Sequence, residues 1–388
     1  MALNPVIDLL GRRLRLAVIG GGPGSFIGAM HRQSARLDDR YEIVTGILSS
    51  DPARSKQSAN ELGFTSDRQY TNVTEMLEAE VARQDGIDAV AIMTPNDSHY
   101  DYSVAALERG IDVICDKPMT NTIEEAESLD KKVQETGLVF CLTHNYTGYP
   151  MVRQAKAMVM DGQLGTIRLV QVEYVQGGKA DEEKTFSPDN WKFDPVRGGP
   201  SRVMGDIGTH AHNLTRFITG LEVDEVAAEI GAIVPNRIID DFGGALLRFD
   251  NSARGSFWVT QAAAGVENCL RIRVSGSQGS LEWMQEFPQA LTFKPLHGPS
   301  QNRTPNGPGT LPLSARSTRL VAGHPEGFPD GFANIYSDAA EAISARRAGK
   351  EADPLALYFP NSRDGLLGVR FVNSVIESSN ANGKWTKC

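Results

Sequence analysis

The first part of the chain alternates between short apolar runs and segments in which apolar residues recur at helical spacing. The apolar runs, which predict buried strands, are Leu14–Ile19, Tyr41–Leu48, Ile87–Met93, Asp112–Cys115 and Leu138–Thr143. Helices are predicted at about Gly28–Leu37, Asp97–Arg109 and Thr122–Thr136, and another begins at Asp51-Pro52, a capping residue followed by a proline in the first turn. Repeated strand–helix–strand units predict a parallel sheet with helices on both faces.

The hydrophobic pattern changes after residue 145. Beyond a helical segment near Met151–Met160, apolar and polar residues alternate, as in strands with one exposed face. These strands are Ile167–Val175, Glu222–Ile233, Gly243–Phe249, Gly255–Gln261, Leu270–Ser275 and Ser280–Met284. Short turns join several neighbours, which predicts a mostly antiparallel sheet. The pattern therefore predicts an α/β domain over residues 1–145 and an α+β domain over residues 146–388, with long loops at 177–200 and 295–317.

Length and composition limit the possible functions. The chain has 388 residues, which suggests two hydrophobic cores, and its formal net charge of -9 argues against a nucleic-acid partner. No stretch approaches the roughly 18 apolar residues of a membrane span, and the N-terminus has no apolar signal core. The four cysteines lack the CxxC spacing of a zinc site. We therefore expect a cytoplasmic protein with no metal site and no membrane partner.

A glycine-rich segment joins the first predicted strand to the first predicted helix. It runs from Gly20 through Gly22, Phe26 and Ile27 to Gly28. Such a turn lets the backbone approach a pyrophosphate, which the N-terminus of the following helix attracts. About three residues interrupt the usual GxGxxG spacing, and a glycine turn without a ligand has the same composition. In its strand–turn–helix context the segment predicts a dinucleotide site formed by these five residues.

The end of the second predicted strand bears on the choice of dinucleotide. NAD-binding folds usually place an acid there for the ribose 2′-hydroxyl, whereas this chain has Ser49-Ser50-Asp51, with Arg54 one helical turn further on. Ser49, Ser50 and Arg54 suit the 2′-phosphate of NADP. Asp51 either reaches the ribose or caps the helix, and Arg54 is otherwise a solvated helix residue. The choice between NAD and NADP stays open.

Two more motifs follow strands at the same edge of the predicted parallel sheet. One contains Thr94, Pro95, Asn96 and His99, and the other contains Asp116 and Lys117. Ligands of open α/β sheets bind at the carboxyl ends of the strands, so we expect all six residues to contact the cofactor. Lys117 is also a candidate for contacting a substrate hydroxyl, although a lysine in a surface loop would have the same context.

A third constellation pairs Asp206 with His210, four residues apart. On an α-helix this spacing puts both side chains on one face. A carboxylate beside an imidazole can orient the ring and raise its basicity, which suits proton abstraction from an alcohol. A capping aspartate and a core histidine would show the same spacing.

Together these residues resemble the Gfo/Idh/MocA family of oxidoreductases over nearly the whole chain. The segments that carry the resemblance are Gly28–His31, Thr94–Asn96, Asp116–Pro118, Gly198–His210, Gly279–Trp283 and Gly323–Phe328. The chain departs from the family in two places. Asp116 stands where the family more often has a glutamate, and the glycine turn carries an insertion around Pro23–Ile27.

The resemblance implies a Rossmann domain, a second domain with a large open, mostly antiparallel sheet, and an active site in the cleft between them. It implies hydride transfer between NAD or NADP and a secondary hydroxyl of a sugar, cyclitol or glycoside. By match to the family motifs, Lys117 is the catalytic lysine, and Asp206 and His210 are the acid–histidine pair, with His210 the general base. The alternatives are a redox-assisted glycosidase or lyase with bound NAD and no net redox, and a non-catalytic dinucleotide-binding regulator.

A polyol substrate needs several hydrogen-bonding groups and some stacking surface around it. Besides Lys117, Asp206 and His210, the residues proposed to bind it are His144, Tyr146, Trp191, Arg197 and His324. For each of these five the alternative to substrate binding is an ordinary role, either packing in the core or exposure at the surface. We further expect a homodimer or homotetramer, because the second domain's sheet would otherwise expose a broad face.

Overall fold

The computed structural model describes residues 4–183 and 190–388. They form two compact units. The first contains the chain up to Asn145 together with Phe332–Leu366, and the second contains Tyr146–Gly331 together with Leu367–Cys388.

The first unit is built around a parallel sheet. Up to Asn145 its helices and strands are α1 (Pro5–Leu10), β1 (Leu14–Gly20), α2 (Phe26–Leu37), β2 (Tyr41–Ile47), α3 (Pro52–Glu61), α4 (Val73–Ala82), β3 (Ala89–Met93), α5 (His99–Leu107), β4 (Asp112–Cys115), α6 (Ile123–Thr136) and β5 (Phe140–Leu142). The strands are ordered β2-β1-β3-β4-β5 and all pair in parallel. The strand order reverses direction between β1 and β3, which is where open α/β sheets bind ligands. The predicted α/β Rossmann class is confirmed.

The remaining helices and strands lie mainly in the second unit. They are α7 (Pro150–Met160), β6 (Ile167–Val175), α8 (Thr209–Thr219), β7 (Val223–Gly231), β8 (Phe242–Phe249), β9 (Arg254–Thr260), β10 (Cys269–Gly276), β11 (Gly279–Met284), β12 (Leu291–Pro295), β13 (Gln301–Arg303), α9 (Pro312–Ala315), α10 (Phe328–Arg347), α11 (Ser362–Asn380) and β14 (Thr386–Lys387). The second sheet is ordered β13-β12-β11-β10-β6-β9-β8-β7-β14. Its pairings are antiparallel apart from that of β6 with β9, so the predicted open, mostly antiparallel sheet is confirmed.

One face of this second sheet is buried and the other is exposed. Val170, Val172 and Ile272 point into a core that also takes side chains from α7 and α8. On the opposite face Leu246 and Trp258 remain 58% and 49% exposed. The alternation of apolar and polar residues along each strand is therefore explained by a sheet that packs against the core on one face only.

Residues 332–366 belong to the first unit, whereas the sequence analysis placed all of 146–388 in one domain. The contacts of α10 explain this difference. Tyr41 donates a hydrogen bond of 2.9 Å to the Tyr336 carbonyl, and Arg346 pairs with the buried carboxylate of Asp112 at 2.6 Å. These partners are more than 200 residues apart in the chain, so local patterning gives no sign of them.

Several short elements differ from the sequence expectation. Helices α1 and α4 were not predicted, and the loop expected at 295–317 contains β13 and α9. Part of the other expected loop, residues 184–189, lies outside the described residues. None of the helices described in the structure has the length and apolarity needed to cross a membrane.

Candidate functional site

At several glycines of the turn after β1 a side chain does not fit. Gly20 and Gly21 have φ values of +83° and +64°, in the left-handed region that favours glycine. A Cβ atom at Gly20 would lie 2.7 Å from the Met93 carbonyl oxygen, and one at Gly28 would collide with the backbone of Gly21. The close packing leaves a bare backbone beside the N-terminus of α2, which fits the phosphates of a dinucleotide.

The N-cap of α2 and one side chain within the helix form hydrogen bonds that shape this turn. Ser25 caps the helix, because its Oγ accepts a hydrogen bond of 3.1 Å from the Gly28 amide. Arg32, which the sequence analysis did not single out, donates from Nη1 to the Gly21 carbonyl oxygen at 2.5 Å. Partial burial lowers the pKa of Arg32. The side chain of Phe26, which the sequence analysis proposed as a cofactor contact, is 67% exposed at the start of α2.

At the end of β2, Asp51 acts as a helix cap. Its Oδ1 accepts hydrogen bonds from the amides of Ala53 and Arg54 at 2.8 and 3.1 Å, while Ser49 Oγ accepts one from the Asp51 amide at 3.1 Å. Ser50 and Arg54 are exposed. The structure thus realises the capping alternative for Asp51 and leaves the Ser49 hydroxyl at the position where NAD-binding folds usually carry an acid.

His99 joins the turns that follow β3 and β4. Its Nε2 lies 3.0 Å from the Thr94 carbonyl oxygen and its Nδ1 lies 2.8 Å from that of Pro118. The ring is fully buried. Its contacts therefore tie the turn of Thr94, Pro95 and Asn96 to the turn that carries Lys117.

The Asp116 carboxylate lies among cationic and polar groups. Thr143 Oγ1 donates to its Oδ1 at 3.0 Å, and His31 Nε2 lies 3.9 Å from the same oxygen, too far for a hydrogen bond. Burial opposes ionisation of Asp116, but the nearby His31, Lys117 and His99 outweigh it and lower the pKa of Asp116 well below its usual range. A fixed anion therefore precedes the half-buried Lys117.

In the second unit, Asp206 lies in a turn of π-helix, Met204–Gly208, which continues into α8. Asp240 holds the start of this segment. Its Oδ1 accepts from the Val203 amide at 2.6 Å, and its Oδ2 accepts from the Arg202 amide at 3.1 Å. Single π-turns inside helices are frequent at functional sites. The sequence analysis assumed that Asp206 and His210 share one face because they are four residues apart on an α-helix. Asp206 lies in a π-helical turn, so this assumption does not hold for it.

Two donors converge on one oxygen of Asp206. Arg202 Nη2 and Gln261 Nε2 lie 2.6 and 2.8 Å from Asp206 Oδ2. Neither residue was predicted from the sequence. Arg202 precedes Asp206 by four residues, a spacing that could have identified it, whereas Gln261 comes from the end of a strand 55 residues away.

His210 is 7% exposed and packs against two tyrosines. Its ring centroid lies 4.8 Å from that of Tyr146 and 6.2 Å from that of Tyr174, both in edge-to-face orientation. The two phenol oxygens are 2.5 Å apart. Burial raises the pKa of both tyrosines, so both remain neutral near pH 7. Tyr146 was among the predicted substrate residues, and the structure places it beside His210.

The other four residues predicted to bind substrate differ from one another in burial and in neighbouring groups. Trp191 is half-buried in a short 3₁₀ turn, with the Lys192 ammonium 5.7 Å from its ring centroid. Arg197 and His324 are exposed, and His324 Nδ1 lies 3.2 Å from the Val321 carbonyl oxygen in its own loop. His144 is buried in the first unit. Their contribution to substrate binding stays a prediction.

Two family models match the chain. Residues 14–145 match the oxidoreductase family with an NAD-binding Rossmann fold, and residues 152–282 match the GFO/IDH/MocA C-terminal domain. The chain belongs to the Gfo/Idh/MocA family. The family resemblance inferred from the sequence motifs is confirmed.

Relatives of this family member match it along almost its full length. A structure of an oxidoreductase from Sinorhizobium meliloti is 46% identical, with a TM-score of 0.88, and the match covers 97% of this chain and 100% of that one. An inositol dehydrogenase homolog from Azotobacter vinelandii, in complex with NADH and myo-inositol, is 32% identical with a TM-score of 0.90, covering 98% and 99%. The Bacillus subtilis oxidoreductase YfiI is 32% identical over 98% of both chains. The chain is thus an NAD-binding oxidoreductase-family protein with inositol dehydrogenase homologues.

Proposed function

We propose that the protein is an NAD- or NADP-dependent dehydrogenase that oxidises a secondary hydroxyl of a sugar, cyclitol or glycoside. The observation that carries this proposal is the buried His210, packed on two tyrosines and four residues from an Asp206 carboxylate that two donors hold. A regulator that only binds dinucleotide does not need this arrangement. The relative from Azotobacter vinelandii, with NADH and myo-inositol, supports the polyol class.

The first unit would hold the dinucleotide. Gly20, Gly22 and Gly28, with the α2 N-terminus, would face its phosphates, and Ser49 with Arg54 would lie near the adenosine ribose. When bound, the nicotinamide ring supplies the hydride acceptor for alcohol oxidation.

In the proposed mechanism His210 accepts the proton of the substrate hydroxyl as the alcohol is oxidised. The Lys117 ammonium stabilises the negative charge that develops on that oxygen. Asp206 stabilises the imidazolium that forms at His210. The neutral phenols of Tyr146 and Tyr174 restrict the ring and exclude water from one side of it. A general base of this kind contributes about 10²–10⁴-fold to a rate.

A substrate screen tests the proposal. The wild-type protein is incubated with myo-inositol, scyllo-inositol, levoglucosan, D-xylose and a methyl glycoside, each with NAD and with NADP separately, and both reduced-cofactor absorbance and consumption of the compound are measured. Turnover of at least one of these compounds is expected. If a glycoside is consumed while neither NADH nor NADPH accumulates, the protein instead performs redox-assisted cleavage or elimination. If dinucleotide binds and no compound is consumed, the regulator hypothesis is favoured.

We also propose that the protein forms a homodimer or homotetramer in the cytoplasm. The exposed face of the second sheet carries the large apolar side chains of Leu169, Leu246 and Trp258 among charged residues such as Arg271 and Arg273, and exposed apolar side chains of this size favour a contact surface. Sedimentation equilibrium tests the oligomeric state, and a monomer at all concentrations would contradict it.

A further inference from the structure

Gln261 is a buried residue that touches the Asp206 carboxylate from the sheet. It follows β9 and is only 4% exposed. Both of its backbone groups are used, since its amide donates to the Asp241 carbonyl and its own carbonyl accepts from the Lys179 amide, each at 2.9 Å. These two hydrogen bonds fix the position of the Gln261 backbone at the end of β9.

The side-chain amide of Gln261 has a defined orientation. Its Nε2 lies 2.8 Å from Asp206 Oδ2 and 3.1 Å from Gln176 Oε1, and both of these atoms accept hydrogen bonds. A primary amide has two N–H donors, so the two contacts use both of them. The reversed amide would place an oxygen against the carboxylate.

The network continues from Gln261 to the tyrosines beside His210. Gln176 Nε2 donates to Asn268 Oδ1 at 2.7 Å, and the Tyr174 hydroxyl donates to the same oxygen at 2.9 Å. The Tyr174 hydroxyl also lies 2.5 Å from that of Tyr146, so the network reaches the tyrosine that packs on His210. A continuous series of hydrogen bonds therefore runs from the Asp206 carboxylate to the two tyrosines.

We propose that Gln261 is a positioning residue for the Asp206–His210 pair, because its amide ties the Asp206 carboxylate to the same hydrogen-bond network that holds the two tyrosines packed on His210. The proposal rests on the proposed function of that pair. In this role Gln261, at the end of β9, keeps the Asp206 carboxylate in a fixed position relative to the tyrosines that pack on the His210 imidazole. Gln261 acts through Asp206 and needs no contact with substrate.

Replacement of Gln261 by glutamate provides a pH-dependent test. A protonated glutamate can still donate to Asp206, whereas an ionised one places a second negative charge against it. The charged and titratable groups around this position are Arg202, Asp206, His210, Tyr146, Tyr174, Asp240 and Asp241. The two tyrosines stay neutral near pH 7, because burial raises the pKa of each. Asp206, His210 and the other groups are also present in the wild type and in Gln261→Leu, so a pH dependence that appears only in Gln261→Glu comes from residue 261.

The experiment measures kcat against pH for the wild type, Gln261→Glu and Gln261→Leu, with the polyol from the screen that the wild type oxidises fastest. Gln261→Leu is expected to lower kcat about tenfold at every pH, as the loss of a hydrogen bond to a charged group implies. Gln261→Glu is expected to approach wild-type kcat at low pH and to lose it as the pH rises. The affinity for dinucleotide, measured by fluorescence, should not change. Gln57→Glu is the matched control, because Gln57 also donates to a carboxylate, that of Glu61 at 2.9 Å, on an exposed helix.

The outcomes separate this proposal from the proposed function. If His210→Ala abolishes turnover while Gln261→Glu keeps the wild-type pH profile, Gln261 is not a positioning residue although the pair is catalytic. If His210→Ala has wild-type turnover, His210 is not the general base and the pair has no catalytic role that Gln261 could support, whereas the proposed function itself fails only if the wild type oxidises no compound of the screen. Should the Gln261 variants not fold, Gln176→Met removes the acceptor that orients the Gln261 amide. A several-fold fall in kcat with unchanged dinucleotide affinity then supports the proposal, and an unchanged kcat overturns it.

Discussion

The glycine turn of the first unit and the region of Asp206 and His210 in the second unit differ in which part of the chain forms them. In the first unit the edge of the parallel sheet is shaped by backbone, at Gly20, Gly21 and Gly28, where side chains do not fit. In the second unit the candidate region is shaped by side chains, since Tyr146 packs on the His210 ring and Gln261 donates to Asp206. A bare backbone suits a phosphate-bearing ligand that is common to many enzymes, whereas a side-chain network can be specific for one substrate.

This difference has consequences for mutation. A substitution in the glycine region should act by adding atoms, and a substitution in the network should act by removing a donor, an acceptor or a charge. Lys117 links the two cases, since it lies at the sheet edge of the first unit but is proposed to act by its charge.

After His210→Ala, the largest effect is expected for Lys117→Ala. Loss of the ammonium removes the stabilisation of developing negative charge, so kcat should fall about 10²–10³-fold. Dinucleotide binding, measured by fluorescence titration, should persist. Lys131→Ala is the control, because this lysine is exposed on α6 of the same unit. A Lys117→Ala variant with wild-type kcat would remove Lys117 from the mechanism.

A smaller effect is expected for Gly28→Ala. The added methyl group meets the Gly21 backbone, and overpacking of this kind costs about 1–3 kcal/mol. The KM for the dinucleotide should rise about tenfold or more while the polyol KM stays constant. Gly368→Ala is the control, since a Cβ there meets nothing within 4 Å. Equal effects of the two variants would show that the glycine turn does not bind phosphate.

The ionised state of Asp116 should appear as a pH-dependent stability. Its lowered pKa stabilises the folded protein above the unfolded-state value of about 4, and this contribution is lost as the pH falls through the lower folded-state value. Asp116→Asn should therefore be less stable near pH 7, by on the order of 1 kcal/mol, with the difference shrinking below about pH 4. Urea unfolding at several pH values measures it. A difference that grows as the pH falls would contradict the stated environment of Asp116.

The smallest effect is expected for Arg54→Ala. If this exposed arginine contacts a 2′-phosphate, the affinity for NADP should fall about fivefold and the affinity for NAD should stay constant, because exposed ion pairs contribute little. Lys56→Ala, on the same helix, is the control. Equal changes for NAD and NADP would assign Arg54 to the solvent.

The same contrast explains how much of the molecule could be predicted from its sequence. The parallel sheet, its glycine turn and the Asp51 cap depend on local periodicity and on neighbouring residues, which a sequence displays directly. Gln261 and Tyr174 could not be found in this way, because each lies at the end of a strand and meets its partner through long-range pairing.

The position of α10 and the geometry around Asp206 show the same limit. Residues from Phe332 onwards join the first unit through contacts such as that of Tyr336 with Tyr41, which local patterns do not encode. The four-residue spacing of Asp206 and His210 suggested an α-helical face, whereas Asp206 lies in a π-turn. A π-turn depends on the packing around it, here including the Asp240 contacts with the segment before it.

The most direct test of the account is the turnover of His210→Ala. With the wild-type protein's best polyol and saturating cofactor, reduced-cofactor formation should fall about 10²–10⁴-fold, while dinucleotide affinity and thermal stability stay near wild-type values. Combining it with Lys117→Ala should cost less than the product of the two single losses, because both residues are proposed to act on one hydroxyl in one step. Wild-type turnover in the folded His210→Ala variant would contradict the account.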